Sequence, residues 1–324
     1  MGKIRWGVIS TARIGENRVI PAIQASNNGV VTAVASRSLE KAQAFAARTG
    51  IPTAYGSYEA LLADPDIDAI YNPLPNSEHA AWSIAAAEAG KPMLCEKPLA
   101  KDAAEAQTMI DAFAARGLLF AEAFMYRFHP QHATARRIIA EGGIGAIQIM
   151  SASFTFAVRS ASDIRLQAEL AGGALMDVGC YCVNAMRLII GEEPVNVAAV
   201  ARFGASGVDE AIAGALMFPS GAVGHFDAGV RAHRLHTYEV RGTEGRIQLD
   251  AAFVPHGLTT IVRHWHGDDY VEHSHPPVDQ YRLMVEDFAD ALLNQRPPAY
   301  PPSDAVANMR VLDQLIGSAR ANGS

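Results

Sequence analysis

Apolar and polar positions in the first third of the chain switch between two periods. Short apolar runs at Ile4–Ile9, Val30–Ala35, Ala69–Tyr71, Met93–Cys95 and Leu118–Ala121 read as strands. Between them, Ile14–Ala25, Leu39–Thr49, Tyr58–Ala63, His79–Ala89 and Ala103–Arg116 carry helix-like periodicity, and Asn27–Gly29, Gly90-Lys91-Pro92 and Gly117 supply the stops. Strand and helix in alternation predict a parallel sheet wrapped by helices, a doubly wound domain.

After about Phe124 the texture changes. Ala146–Val158, Val195–Phe203, Ala211–Phe218, Ala222–Gly229, His236–Arg241, Arg246–Leu249, Leu258–Arg263 and Tyr270–His273 are strand-like, separated by turn signals such as Pro219-Ser220-Gly221 and Gly267-Asp268-Asp269. This predicts a second domain built on a large, mostly antiparallel open sheet. One clear helix interrupts it, from about Ala174 to Ile190, and two more, about Val278–Leu293 and Ser303–Ala319, close the chain. The expected division is 1–123 and 124–324, with the closing helices free to pack back on the first domain.

Composition narrows the class. The 324 residues hold 27 Lys+Arg against 34 Asp+Glu and are 49% hydrophobic, a soluble globular balance; at roughly 150 residues per domain the length suits about two domains. The net charge of −7 comes without a basic run, which argues against nucleic acid and anionic membrane surfaces as partners. Cys95, Cys180 and Cys182 form an odd set with no C-x-x-C pair, the pattern of reduced thiols in a cytosolic protein. Met1 to Ser10 reads as a strand rather than a secretory leader, and no apolar run approaches the ~18 to 20 residues of a membrane span. A cytoplasmic location is expected.

Four segments carry candidate chemistry. Ser10-Thr11-Ala12-Arg13-Ile14-Gly15 follows the first strand in the place of G-x-G-x-x-G, where small residues let the backbone turn and approach a pyrophosphate at the head of a helix. Ser10 and Ala12 replace two glycines, and tight turns of this kind also occur in doubly wound folds that bind no dinucleotide. At the end of the second strand, where NAD-preferring proteins carry a carboxylate for the ribose hydroxyls, stands Ser36-Arg37-Ser38. A guanidinium flanked by hydroxyls suits a 2′-phosphate, so NADP(H) is expected ahead of NAD; the other reading of Arg37 is a solvated loop charge.

The third segment is Glu96-Lys97-Pro98, after the strand Met93–Cys95. At the C-terminal end of a parallel strand these side chains face the ligand crevice, where an ammonium polarises a hydroxyl or carbonyl and exchanges protons. Proline restricts the next peptide and is compatible with a cis bond that would aim Lys97 inward. In isolation the tripeptide would pass for a surface turn. The fourth segment places Asp177, Tyr181 and Asn184 at i, i+4 and i+7, a polar stripe on one helix face among Leu175, Val178, Cys182, Val183 and Met186. Such a stripe serves either as a hydrogen-bonded core network or as the groups that hold and deprotonate a polyol.

His264-Trp265-His266 and His273-Ser274-His275 straddle a predicted hairpin, where residues two apart share a face. Four imidazoles could converge there, but no carboxylate pattern supports a site, and no metal is expected.

Taken together, the Ser10–Gly15 loop, Asn72-Pro73-Leu74-Pro75-Asn76 with His79, Glu96-Lys97-Pro98, the run Glu122–Pro130 and the Asp177–Asn184 helix resemble the glucose-fructose oxidoreductase/inositol dehydrogenase/MocA family. The resemblance covers nearly the whole chain. Gly-Ala-Leu-Met-Asp-Val-Gly-Cys-Tyr-Cys-Val, from Gly173 on, looks most like the branch of dihydrodiol dehydrogenase and NADP-dependent D-xylose dehydrogenase. Many relatives have His where this chain has Tyr181, which favours the branch that uses tyrosine.

The resemblance implies an N-terminal Rossmann domain and a C-terminal α+β domain whose sheet often forms a homodimer interface. It implies proton transfer by Lys97 and Tyr181, with Asp177 positioning substrate or tuning the pair. It also implies cofactor contacts from Ser10, Thr11, Ala12, Arg13, Ile14, Ser36, Arg37, Pro73, Asn76, His79, Glu96, Lys97 and Arg127. The expected activity is hydride exchange between NADP(H) and a sugar-like alcohol or carbonyl, of the aldose 1-dehydrogenase or trans-dihydrodiol dehydrogenase type. The alternatives are an anhydro-sugar or ketose reductase of the same family, or a cofactor-sensing regulator without catalysis.

Overall fold

The computed structural model describes residues 2–322; Met1 of the N-terminal reading and the last two residues of the range 124–324 lie outside it. The chain forms two compact units, Met1–Met125 with Asp279–Val306, and Tyr126–Val278 with Ala307–Ser324.

In the first unit, β1 (Ile4–Ile9), β2 (Gly29–Ala35), β3 (Thr53–Tyr55), β4 (Ala69–Asn72), β5 (Met93–Cys95) and β6 (Phe120–Glu122) form one sheet. Its order is β3-β2-β1-β4-β5-β6 and every pairing is parallel. Helices α1 (Ile20–Ala25), α2 (Leu39–Thr49), α3 (Tyr58–Leu62), α4 (His79–Glu88) and α5 (Ala103–Ala114) make the connections. Local chemistry sets their ends: Ser38, Ser57 and Asp102 cap α2, α3 and α5 by accepting backbone N–H groups, and Gly50 closes α2 in the left-handed conformation at φ 70°. The order reverses between β1 and β4, and ligands of such sheets bind outside the strand ends at that reversal. Ser10, Ser36, Pro73 and Glu96 are the residues that follow the C-termini of β1, β2, β4 and β5.

In the second unit, α6 (Pro130–Ala140) precedes the long strand β7 (Ile147–Ala157), and α7 (Cys180–Ile190) follows it. The remaining strands are β8 (Asn196–Phe203), β9 (Asp209–Met217), β10 (Val223–Gly229), β11 (Arg231–Gly242), β12 (Gly245–Leu249), β13 (Thr260–His266) and β14 (Asp269–His275). With β7 they build an eight-stranded sheet, β14-β13-β12-β11-β7-β10-β9-β8. It is antiparallel except where β7 pairs with β10. The α7 segment packs on β7 and β10, and α6 on β13 and β14. Of the closing helices, α8 (Gln280–Leu293) belongs to the first unit, where Phe288 meets the buried Trp6 at 5.1 Å between ring centroids. The last, α9 (Ser303–Asn322), belongs to the second unit from Ala307 onward.

The architecture is the expected doubly wound parallel sheet plus a mostly antiparallel one. Several details depart from the pattern reading. Helix α6 has no counterpart in it, because its buried face is built from Gln131, His132, Ala135 and Ile138, too polar to register as an apolar stripe. The edge strand β3 is three half-solvated residues. The expected helices 14–25 and 174–190 each open with a π turn, Gly15–Val19 and Leu175–Gly179. The stretch Ala168–Ile190 does reach membrane-span length, with mean hydropathy 1.3, contrary to the sequence reading. Its apolar window is 78% buried inside the protein, which is how a core helix reaches the same numbers.

Candidate active site

The candidate residues fall into two sets, one in each unit. In the first unit, Ser10 adopts φ 80°, the left-handed conformation that the first glycine of a G-x-G-x-x-G turn would take. Its Oγ is buried and has no hydrogen-bond partner among the described residues. A Cβ on Gly15 would meet nothing closer than 3.7 Å, the nearest atoms belonging to Ile20, Tyr71 and Pro73. Neither its backbone nor its packing requires glycine. A phosphate lying against the turn would supply both the missing partner of Ser10 and the reason for Gly15, so the loop fits a dinucleotide. Thr11, Ala12 and Ile14 are half-buried and Arg13 is exposed.

At the end of β2, Ser36 is buried and Arg37 is exposed. Burial pushes the neighbouring Tyr58 phenol up in pKa, and the nearby Arg37 guanidinium works against that shift. Tyr58 also meets Trp82 edge-on at 4.7 Å. Arg37 is therefore held beside an aromatic surface at the strand end where a ribose phosphate would sit.

At the ends of β4 and β5 the packing is tighter. Tyr71 donates its hydroxyl to Glu96 Oε1 at 2.7 Å inside the protein. Burial and the facing carboxylate raise the Tyr71 phenol well above its usual range, so it stays a donor. The Lys97–Pro98 peptide is cis. His79 is 1% exposed and its two ring nitrogens face backbone carbonyls, Nε2 that of Leu74 at 2.8 Å and Nδ1 that of Pro98 at 3.1 Å. It ties the loop around Pro73 and Asn76 to the turn that carries Lys97. Burial lowers its pKa and the nearby Lys97 ammonium adds to that, while the carbonyls oppose it. Glu122 supports the same turn by accepting the Leu99 N–H at 2.9 Å.

The second unit holds Arg127, Asp177 and Tyr181. Arg127 lies in the 3₁₀ turn Met125–Phe128 and is buried. Asp177 sits in the π turn and bonds Arg165, its Oδ2 2.6 Å from the guanidinium Nε. Arg165 also reaches Asp163 at 3.2 Å and lies over the Phe156 ring. Asp177 raises the guanidinium pKa further, which leaves Arg165 permanently charged.

One turn on, Tyr181 is buried among Phe154, Phe253 and Tyr126, with ring centroids at 5.3, 5.6 and 5.7 Å. Asn184 accepts the Tyr126 hydroxyl at 2.6 Å. The polar stripe is thus split in use: Asn184 serves the core, and Asp177 serves a charged cluster.

Arg165 and Asp209 escaped sequence reasoning, and so did the partners of Tyr71 and Tyr126, because each of the four acts through a residue distant in sequence. The hairpin histidines are placed differently from a metal cluster. His264 and His266 both approach the Gly143 carbonyl, at 2.7 and 3.0 Å, and among the described residues no three His, Cys, Asp or Glu side chains converge to hold an ion. The three cysteines are free and buried, and burial pushes the Cys95 and Cys182 thiols well up.

Residues 4–124 match the model of an oxidoreductase family with an NAD-binding Rossmann fold, and residues 132–248 match the GFO/IDH/MocA C-terminal domain. The chain belongs to the GFO/IDH/MocA oxidoreductase family. Among its relatives, D-xylose 1-dehydrogenase (NADP(+)) 2 of Haloferax volcanii is 39% identical over 98% of both chains. The trans-1,2-dihydrobenzene-1,2-diol dehydrogenase of Bos taurus is 35% identical over 81% of this chain and 78% of its own. Among solved structures, a 3-ketoreductase from Actinomadura kijaniata, crystallised with NADP and TDP-benzene, superposes with a TM-score of 0.92 at 34% identity, covering 98% of each chain. This GFO/IDH/MocA member is therefore an oxidoreductase, and its first unit is the family's Rossmann fold.

Proposed function

We propose that the enzyme oxidises a sugar-like CH–OH group with NADP⁺, as an aldose 1-dehydrogenase or a trans-dihydrodiol dehydrogenase does. The observation that carries the cofactor choice is Arg37, exposed at the end of β2 beside Tyr58 with no carboxylate in the ribose position. The named activities of the xylose and dihydrodiol relatives support the substrate class.

Bound NADP⁺ supplies the hydride-accepting nicotinamide. The chain's own work is binding and proton handling. Ser10 to Ile14 receive the pyrophosphate, Ser36 and Arg37 the 2′-phosphate, and Pro73, Asn76, Glu96 and Arg127 complete the cofactor set, with His79 bracing the loop behind them. Lys97 and Tyr181 take up the hydroxyl proton, because losing hydride without losing that proton is strongly uphill. Asp177 orients substrate hydroxyls and is itself held by Arg165. In the reducing direction the same residues return the proton.

We take the protein to be a cytoplasmic homodimer. Exposed Ala198, Val200, Ala213, Ala215 and Met217 share one face of paired strands β8 and β9, an apolar strip suited to a second copy. The test is a panel of aldoses, polyols and dihydrodiols with NADP⁺, run beside Lys97→Met. Turnover by the native protein and its loss in the variant, with NADP⁺ affinity kept, is the expected result. Tight cofactor binding without turnover on any substrate would instead mark a cofactor sensor.

A further inference from the structure

Asp209 opens β9 and is 3% exposed, yet no step of the proposed reaction needs it. Its Oδ2 accepts the Leu175 N–H at 2.6 Å, and the Ala174 N–H lies near enough to lower the carboxyl pKa. These are first-turn donors of the helical segment that carries Asp177 and Tyr181, donors that no residue of that segment caps. The opposite side of the turn is gripped by the segment around Arg165. Gly173 N–H donates to the Arg165 carbonyl at 2.8 Å, and a Cβ on Gly172 would collide with that carbonyl. Gly173 stands at φ 121°, and a Cβ there would strike Asp209 Oδ1. Glycine is what lets the carboxylate reach the turn.

Keeping this carboxylate is costly. Burial lifts its pKa to about 6, against the pull of the backbone N–H groups of Leu175, of Asp209 itself and of Ala174, and of the Arg320 guanidinium, the charged group that faces it from α9. An asparagine would fill the same space without that cost, but it offers one acceptor oxygen where the carboxylate offers two.

We infer that Asp209 is a positioning residue: it anchors the turn Gly173–Leu175 from β9, and so holds Asp177 against Arg165 in the geometry that receives substrate. The inference rests on the sugar oxidoreductase reading above.

Asp209→Asn, Gly173→Ala and the double variant, made in the full chain, test it by two readouts. Hydrogen exchange in the segment 172–181 should rise about tenfold in each variant while β7 and β10 keep their protection. Against an accepted aldose, kcat/KM should fall about ten- to hundredfold with the NADP⁺ Kd within about twofold of native. Asp209→Asn should also flatten the acidic limb of kcat/KM near pH 6, which a merely structural defect would leave in place. Because both residues serve one contact, the double variant should lose no more than the worse single one.

Unchanged exchange in both single variants overturns the anchor, and raised exchange with unchanged kcat/KM overturns its positioning role. If Asp209→Asn fails to fold, Gly173→Ala decides by the same two criteria. Absence of turnover in the native protein would sink the sugar reading instead, and the exchange result would still decide the anchor.

Discussion

Arg165 Nε lies 2.6 Å from Asp177 Oδ2, and the carboxylate is the less exposed partner, its side chain 16% accessible against 37% for the guanidinium. A carboxylate held this way has one oxygen fixed by a charge-assisted bond, which sets the orientation of the whole group. Asp177→Asn should lower kcat/KM for the sugar by about tenfold to hundredfold, equivalent to roughly 1.4–2.7 kcal/mol, without altering NADP⁺ affinity. Steady-state kinetics beside cofactor fluorescence titration will show it; a weakened NADP⁺ affinity would move Asp177 out of the substrate role.

Arg37 is expected to set the cofactor preference. Arg37→Ala removes a charge-assisted partner of the 2′-phosphate and should weaken NADP⁺ about ten- to hundredfold while changing NAD⁺ by less than about threefold. Calorimetric titration with each cofactor reads the ratio. Equal losses for both would make Arg37 a solvated charge after all.

His79 joins Leu74 to Pro98 through its two nitrogens. As a neutral ring His79 donates a single N–H, so His79→Ala strands one of the two carbonyls and should cost about 1–3 kcal/mol of stability. His79→Gln, which can still donate to one of them, should recover part of that loss. Thermal unfolding with and without NADP⁺ measures both, and an Ala variant as stable as the native protein would exclude the brace.

Stability should fall on acidification. Burial depresses His129 to about 4, His132 to about 3 and His236 to about 4. Each is neutral in the folded state and protonates near pH 6.5 once unfolded, so the unfolded chain binds more protons between about pH 6.5 and 4 and stability declines as pH falls through that window. Asp209, raised to about 6, acts in the opposite sense, because the folded state takes up its proton first. Three histidines against one carboxylate leave a net loss, which urea midpoints measured from pH 7.5 to 4.5 will reveal. A midpoint independent of pH would mean that these imidazoles are solvated in solution.

The doubly wound sheet was legible because its strands and helices differ in period, a property of short windows. Leu39–Thr49 and Met93–Cys95 have the same bounds in sequence and structure. The strand-end positions of Ser10, Arg37 and Lys97 were legible for a related reason: parallel strands in alternation with helices place their C-terminal ends at one edge, so position along the chain already names the residues there. Helix α6 was not, since its buried face is polar and is satisfied from other elements: Gln131 donates to the carbonyls of Ala251 and Ala252, and His132 bonds Tyr238.

By itself, then, the sequence determined the two sheet types, the order of the elements other than β3 and α6, and the residues at the β1, β2 and β5 strand ends, all of which follow from local periodicity. Only the tertiary structure decided who partners whom: Arg165 with Asp177, Tyr126 with Asn184, Tyr71 with Glu96, Asp209 with the amide of Leu175. A buried charge or hydroxyl must find its complement wherever the chain brings one near, and that search runs across 12, 58, 25 and 34 residues in these four cases, beyond the reach of any periodic pattern.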